Sequence, residues 1–207
     1  MQVSLVDYGA GNLASVVKGL RAAGAVVSMA TVATDLDTAS ALVIPGVGHF
    51  AATRALDAEW RAAILARIDA GAAVLGICLG MQWLYDGSVE SPELTGLGVF
   101  AGTCARIPVD GDSGLKVPHV GWNTLEPRRR SEAMGQWLDA SVTFAYFTHS
   151  YAAPVTEETV TTTTHGVTFA STVARGRVFG AQWHPEKSGD TGLQLLRNFV
   201  AIASGAR

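Results

Sequence analysis

The chain has 207 residues, 48% hydrophobic and 16% charged, enough apolar material for one ordinary core and too much for wholesale disorder. Fifteen Lys and Arg against eighteen Asp and Glu leave a formal charge of −3, which argues against a binder of polyanions or membrane surfaces, since either wants a basic surplus. Two cysteines, Cys78 and Cys104, make neither a disulfide framework nor a four-ligand zinc site.

Residues 2–6 read as a short strand ending in the turn cluster Asp7-Tyr8-Gly9-Ala10-Gly11-Asn12. Leu13, Val16, Val17 and Leu20 repeat at helical spacing over residues 13–23, and Gly24 stands where a helix-ending glycine belongs. Strands are predicted at 25–30 and at 41–44, the second stopped by Pro45-Gly46. A helix at roughly 60–70 closes on Gly71, and an apolar strand follows at 72–77. Strands that alternate with helices and are apolar throughout predict a mostly parallel sheet covered on both faces.

Beyond Gly87 short β-rich runs follow at 98–107, 116–124, 142–150, 160–163, 167–174 and 177–182, parted by turns at 110–114 and 164–166. They predict an antiparallel extension of the same sheet. The basic run Arg128-Arg129-Arg130 reads as a solvated loop or partner rim. A last helix is expected at 191–203, with Leu193, Leu196, Phe199 and Val200 on one face. The expectation is one α/β domain over residues 1–207. With no apolar run long enough to span a bilayer and no basic region before the first strand, the expected location is cytoplasmic.

Three segments carry chemistry. In Gly76-Ile77-Cys78-Leu79-Gly80-Met81-Gln82 a predicted strand runs into a cysteine with a glycine two residues to either side, and a helix can start at Met81. This is the grammar of a nucleophile elbow with sulfur in place of oxygen. Placement ahead of a helix favours the thiolate and puts backbone N–H groups near a developing oxyanion. A buried structural cysteine at a strand end is the alternative.

At the end of the strand predicted over 177–182 stands His184-Pro185-Glu186. A thiol nucleophile benefits from an imidazole that takes its proton, and the imidazole from a carboxylate that fixes its tautomer. Cys78, His184 and Glu186 together make a candidate triad at strand ends, where sheet enzymes hold their ligands. The third segment, Pro45-Gly46-Val47-Gly48, lets backbone approach a ligand closely and aim N–H groups at an anion. Cys104 reads as a core spectator, His49 and His165 as exposed loop residues, and His119 and His149 as satisfied core or interface residues. No His, Cys and Asp cluster has metal spacing.

These segments resemble the class I glutamine amidotransferases of triad type. Asp7 to Asn12, Pro45 to Gly48, Gly121-Trp122-Asn123 and Tyr146-Phe147-Thr148-His149-Ser150-Tyr151 narrow the resemblance to the glutaminase subunits of imidazole glycerol phosphate synthase. The residues that carry it run along essentially the whole chain, although His49 and Phe50 stand where a small residue is expected. The resemblance implies an α/β fold, with a mostly parallel central sheet, flanking helices and an antiparallel β extension.

It also implies that Cys78 attacks the side-chain amide of glutamine while His184, oriented by Glu186, shuttles the proton. The N–H groups of Val47 and Leu79 would hold the oxyanion. Gly48, Gln82, His149, Ser150 and Tyr151 would contact the substrate, and Asn12, Trp122, Asn123 and Tyr146 would face a partner. No cofactor or metal is implied. The partner would be a cyclase of TIM-barrel fold on a separate chain, which uses the ammonia to make imidazole glycerol phosphate and aminoimidazole carboxamide ribonucleotide. Three alternatives stand beside this one. They are a glutaminase serving another acceptor (pyridoxal phosphate, guanylate, anthranilate or purine synthesis), a free-standing cysteine hydrolase of the same fold, and a binding module that has lost catalysis.

Overall fold

Alternate side chains of the first strands choose opposite faces of a sheet, as the two-residue period of extended chain requires. Val3 and Leu5 of β1 (Gln2–Val6) enter one apolar cluster and Val6 enters the other. Val43 and then Leu42 and Ile44 of β3 (Ala41–Ile44) divide in the same way. The computed structural model describes residues 1–108, 114–128 and 143–205. The predicted turn at 110–114 therefore lies almost wholly outside the described residues, as do Arg129, Arg130 and Val142.

Five parallel strands form one half of a nine-stranded sheet: β2 (Val26–Ala30), β1, β3, β4 (Ala73–Ile77) and β12 (Val178–Ala181), in that spatial order. Register aligns Leu5 with Val43, Val43 with Leu75 and Leu75 with Phe179. That row of four fully buried side chains crosses the sheet, and each contributes about 2 kcal/mol by leaving water. Helices α1 (Leu13–Ala22) and α4 (Gly189–Ala203) cover this face through Val16, Leu20, Leu195, Leu196 and Phe199. On the other face Trp60 and Ile64 of α2 (Ala58–Asp69) pack over Leu42, Ile44 and Val74. The sheet is thus buried on both sides, as the continuous apolar runs predict.

The antiparallel half continues from β12 through β11 (Val167–Arg175), β10 (Thr159–His165) and β7 (His119–Pro127) to β8 (Thr143–His149) at the edge. A separate small sheet joins β5 (Gly87–Ser88), β6 (Thr103–Arg106) and β9 (Tyr151–Ala152). The run expected over 98–107 is strand only within β6, and His165 ends a strand instead of lying in a loop. Helix α2 starts two residues earlier than expected because the Asp57 carboxylate accepts hydrogen bonds from the N–H groups of Glu59 and Trp60, at 3.0 and 3.2 Å. No described helix is long and apolar enough to cross a membrane.

The arrangement β3–β4–β12 places three strand ends side by side. From them the chain continues into Pro45-Gly46, into Cys78, and into Gln182-Trp183-His184.

Candidate active site

Cys78 is the only non-glycine among the described residues with a positive φ, 53° with ψ −107°. Holding an L-residue there costs about 1–3 kcal/mol, and packing must impose it. It does so through the flanking glycines. A Cβ on Gly80 would collide with the Ile44 carbonyl oxygen, and one on Gly76 would lie 2.7 Å from the Gly80 carbonyl oxygen. The chain therefore turns from β4 directly into α3 (Leu79–Trp83), two residues before the expected start at Met81, and leaves the Cys78 sulfur at the wall of a cavity of about 260 Å³.

His184 lies 1% exposed behind that wall, and its Nδ1 is 2.8 Å from Glu186 Oε1. A short 3-10 turn, Pro185–Lys187, brings the carboxylate back onto the ring. The carboxylate can only accept, so Nδ1 carries a proton and Nε2 is left for Cys78. Nε2 is buried without a well-formed hydrogen bond. Burial is the largest single influence on the ring and disfavours its charge, but hydrogen bonding and charge from Cys78 and Glu186 together outweigh it. The His184 pKa is raised to about 9. The structure brings Cys78, His184 and Glu186 together.

The anion-binding backbone is not assembled. The N–H of Leu79 donates to the Gly46 carbonyl at 3.3 Å. Across the trans peptide the N–H of Val47 points the opposite way, away from Leu79. Gly46 tolerates no side chain, since a Cβ would run into the Tyr8 hydroxyl and lie 2.7 Å from Leu79 Cβ.

Gly48, Gln82, His149, Ser150 and Tyr151, the residues expected to contact a substrate, line the cavity, and so do His49, Leu79, Glu90, Pro118 and Thr148. Glu90 is its one carboxylate among the described residues, part-buried, with Oε2 accepting from the Phe50 N–H at 2.7 Å. Its Oε1 lies 3.9 Å from Nε2 of the exposed His49. Glu90 was not legible in the sequence, where it sits in an undistinguished acidic loop. Gln182 was missed too. It is fully buried, and its side-chain nitrogen lies 3.6 Å from Cys78 Sγ.

His149 and His119 are satisfied core histidines. His119 Nδ1 meets His149 Nε2 at 3.1 Å, and His149 Nδ1 donates to the Tyr151 carbonyl at 2.9 Å. Burial lowers the pKa of His119 to about 4 and that of His149 to about 3, aided by mutual repulsion within the histidine group. His165 stacks on His119 at 4.1 Å and hydrogen-bonds the Lys116 carbonyl at 2.8 Å, which a free loop residue would not do. Cys104 is fully buried in β6, and burial pushes its thiol pKa far up. Among the described residues no group of three His, Cys, Asp or Glu could hold a metal ion.

The residues expected to face a partner are divided. Trp122 is 58% exposed and meets Tyr146 edge to face at 6.0 Å, beside exposed Val120 and Phe144. Asn123 points to the other side of β7, where its side chain bonds His119 Nε2 and the Thr164 carbonyl. Asn12 caps α1 by accepting from the Ser15 N–H at 3.4 Å.

A family model described as "Glutamine amidotransferase class-I" matches residues 4–203. Curated relatives named "Imidazole glycerol phosphate synthase subunit HisH" include one from Deinococcus radiodurans, 44% identical over 96% of this chain and 92% of its own. Another, from Natronomonas pharaonis, is 43% identical over 96% of this chain and 94% of its own. In fold, the chain superposes on a solved structure described as "Structure of PurLQS from Thermotoga maritima" with a TM-score of 0.75. That pair is 17% identical and covers 97% of this chain and 98% of the other. Strand order, elbow and family match agree: the chain belongs to the class I glutamine amidotransferases, alongside the HisH subunits of imidazole glycerol phosphate synthase.

Proposed function

We propose that the chain acts as one cytoplasmic glutaminase domain, hydrolysing L-glutamine to glutamate and ammonia through a thioester on Cys78. The ammonia passes to a separate cyclase chain of TIM-barrel fold, which makes imidazole glycerol phosphate and aminoimidazole carboxamide ribonucleotide. The observation that carries this reading is the buried 2.8 Å contact between His184 and Glu186 behind a strained cysteine at a cavity wall. The cyclase and its product rest on similarity to the HisH relatives.

In this scheme the Cys78 sulfur attacks the amide carbon of glutamine. The departing nitrogen takes its proton from His184, whose raised pKa keeps that proton on the ring at neutral pH. Water then attacks the thioester, giving up a proton to His184 and releasing glutamate. Glu90, the carboxylate in the cavity wall, faces the α-ammonium of the substrate. The exposed Val120, Trp122 and Phe144, with Tyr146, form the docking face for the cyclase. For the N–H groups of Val47 and Leu79 to receive the oxyanion, the Gly46–Val47 peptide must turn over. Docking of the ligand-bound partner must therefore favour the turned state energetically.

The test is thiol-specific. Cys78→Ala abolishes glutamine hydrolysis in the assembled synthase, whereas Cys104→Ala leaves it within about twofold, as for a spectator side chain. A glutamine-like electrophile labels Cys78 alone. Turnover by Cys78→Ala, or labelling at Cys104, would falsify the assignment.

A further inference from the structure

A buried glutamine one residue past β12, on the segment that leads to His184, reaches the nucleophile without lining the cavity. Gln182 Nε2 lies 3.6 Å from Cys78 Sγ, and Gln182 Oε1 accepts from Gln82 Nε2 at 3.0 Å. Gln82 Nε2 donates in addition to the Tyr151 carbonyl at 2.8 Å. A side-chain amide can be turned end for end, so which end of Gln182 meets the sulfur needs a cause.

The Tyr151 carbonyl supplies it. A carbonyl only accepts, so it fixes the NH2 end of Gln82 toward itself. That NH2 end can face only an acceptor on Gln182, which turns the Gln182 oxygen inward and its NH2 toward Cys78. The same carbonyl is gripped from the other side by His149 Nδ1, backed by His119 and Asn123. Burial keeps both histidines neutral above about pH 4, so His149 Nε2 remains an acceptor and the polarity of the chain does not reverse. An unbroken series of hydrogen bonds therefore runs from Asn123 on β7 to the sulfur.

We propose that Gln182 is a catalytic hydrogen-bond donor to the Cys78 sulfur, held in its donating orientation by the Tyr151 carbonyl through Gln82. The proposal rests on the reading of Cys78 as the nucleophile, and it adds a residue to the site that Cys78, His184 and Glu186 do not include. An N–H aimed at sulfur favours the thiolate over the thiol. The Thr148 carbonyl, 3.9 Å from the sulfur, can accept from the thiol alone. Among the described residues, the titratable groups His184 and Tyr8 also lie near Cys78, with Glu186 behind His184.

Alkylation of the whole chain by iodoacetamide, followed from pH 6 to 9 with the labelled site read by mass spectrometry, tests this without glutamine. Gln182→Met keeps the volume and loses the donor. It should slow labelling of Cys78 at pH 7 by about tenfold and move the profile toward alkaline pH, the scale of one hydrogen bond to a charged group. Gln182→Glu keeps the shape and brings a negative charge, and should slow labelling further. Folded variants with the wild-type profile would overturn the proposal. If neither variant folds, the unmodified chain decides the matter by nuclear magnetic resonance. The Gln182 side-chain amide should shift along the same pH curve that governs Cys78 labelling, and indifference to that curve would overturn the proposal. Turnover by Cys78→Ala is the separate result that would remove the nucleophile itself.

Discussion

His184 lies behind one wall of the cavity and His149, backed by His119, lines another, and the two sites are held in opposite charge states. His184, at the end of a parallel strand, faces a carboxylate and a thiol, and its pKa rises to about 9. His119 and His149, paired across β7 and β8 in the antiparallel extension, face each other, the Asn123 side chain and the Tyr151 carbonyl, and theirs fall to about 4 and about 3. Burial pushes all three the same way. What separates them is whether an acceptor of negative charge stands within hydrogen-bond reach. One fold thus keeps a proton available at one wall of the cavity and excludes it from another.

The sharpest way to break this contrast is to remove the charged member. His184→Ala should reduce glutamine turnover at least about a hundredfold, the usual cost of losing general acid–base help. Ammonia supplied directly to the assembled synthase should restore product formation, because the lesion lies upstream of the cyclase. Failure of that rescue in an assembled complex would assign His184 a different role. Glu186→Gln keeps a hydrogen-bond acceptor and removes the charge, so its loss should be smaller than that of His184→Ala. Its pH–rate profile should show His184 titrating closer to neutrality, and an unmoved profile would mean that Glu186 does not set the charge.

The smallest effect is on stability, and its sign differs between the two groups. His184 binds its proton more tightly folded than unfolded, so its contribution is fully present below about pH 6.5 and is lost as pH rises through about 9. His119 and His149 bind theirs less tightly folded. Their contribution is present above about pH 6.5 and is lost as pH falls toward about 4 and then about 3. Thermal unfolding from pH 4 to 10 should therefore give Tm a maximum near neutrality, at roughly 2–4 °C for each kcal/mol. Glu186→Gln should flatten the alkaline side, and His119→Phe the acid side. Were each variant to flatten the opposite flank, the charge assignment would be reversed.

The charged group was legible in the sequence and the neutral one was only half so. Gly76 and Gly80 announce the elbow because the close approach of three backbone segments admits no Cβ there. His-Pro-Glu announces its own contact, because a proline of fixed φ carries the chain round within two residues. The parallel strands were found because burial on both faces leaves an apolar run. By contrast Gln182 and Gln82 meet across a hundred residues of chain, and nothing local marks either as a partner. His165 sits before Gly166 and reads as part of a turn, yet that glycine closes a tight hairpin whose register pairs His165 with Val167. The run at 98–107 reads as strand from its β-rich composition. Most of it is loop, held under Leu84 and Tyr85 by backbone hydrogen bonds from Gly98, Val99 and Phe100.

The Gly46 carbonyl resting on the Leu79 N–H also separates two kinds of reagent. Displacement at a saturated carbon, as with a haloacetamide, sends its developing charge to a departing halide and needs no receiver in the protein. Addition to an aldehyde or an ester leaves the charge on an oxygen that stays beside the sulfur, and in this arrangement one of the two N–H groups suited to it is taken and the other faces away. The first reagent therefore counts sulfur atoms, while the second counts only those molecules whose peptide has turned. Their ratio, followed as a partner is added, would measure the turned population directly, with no product of the cyclase reaction needed as a signal.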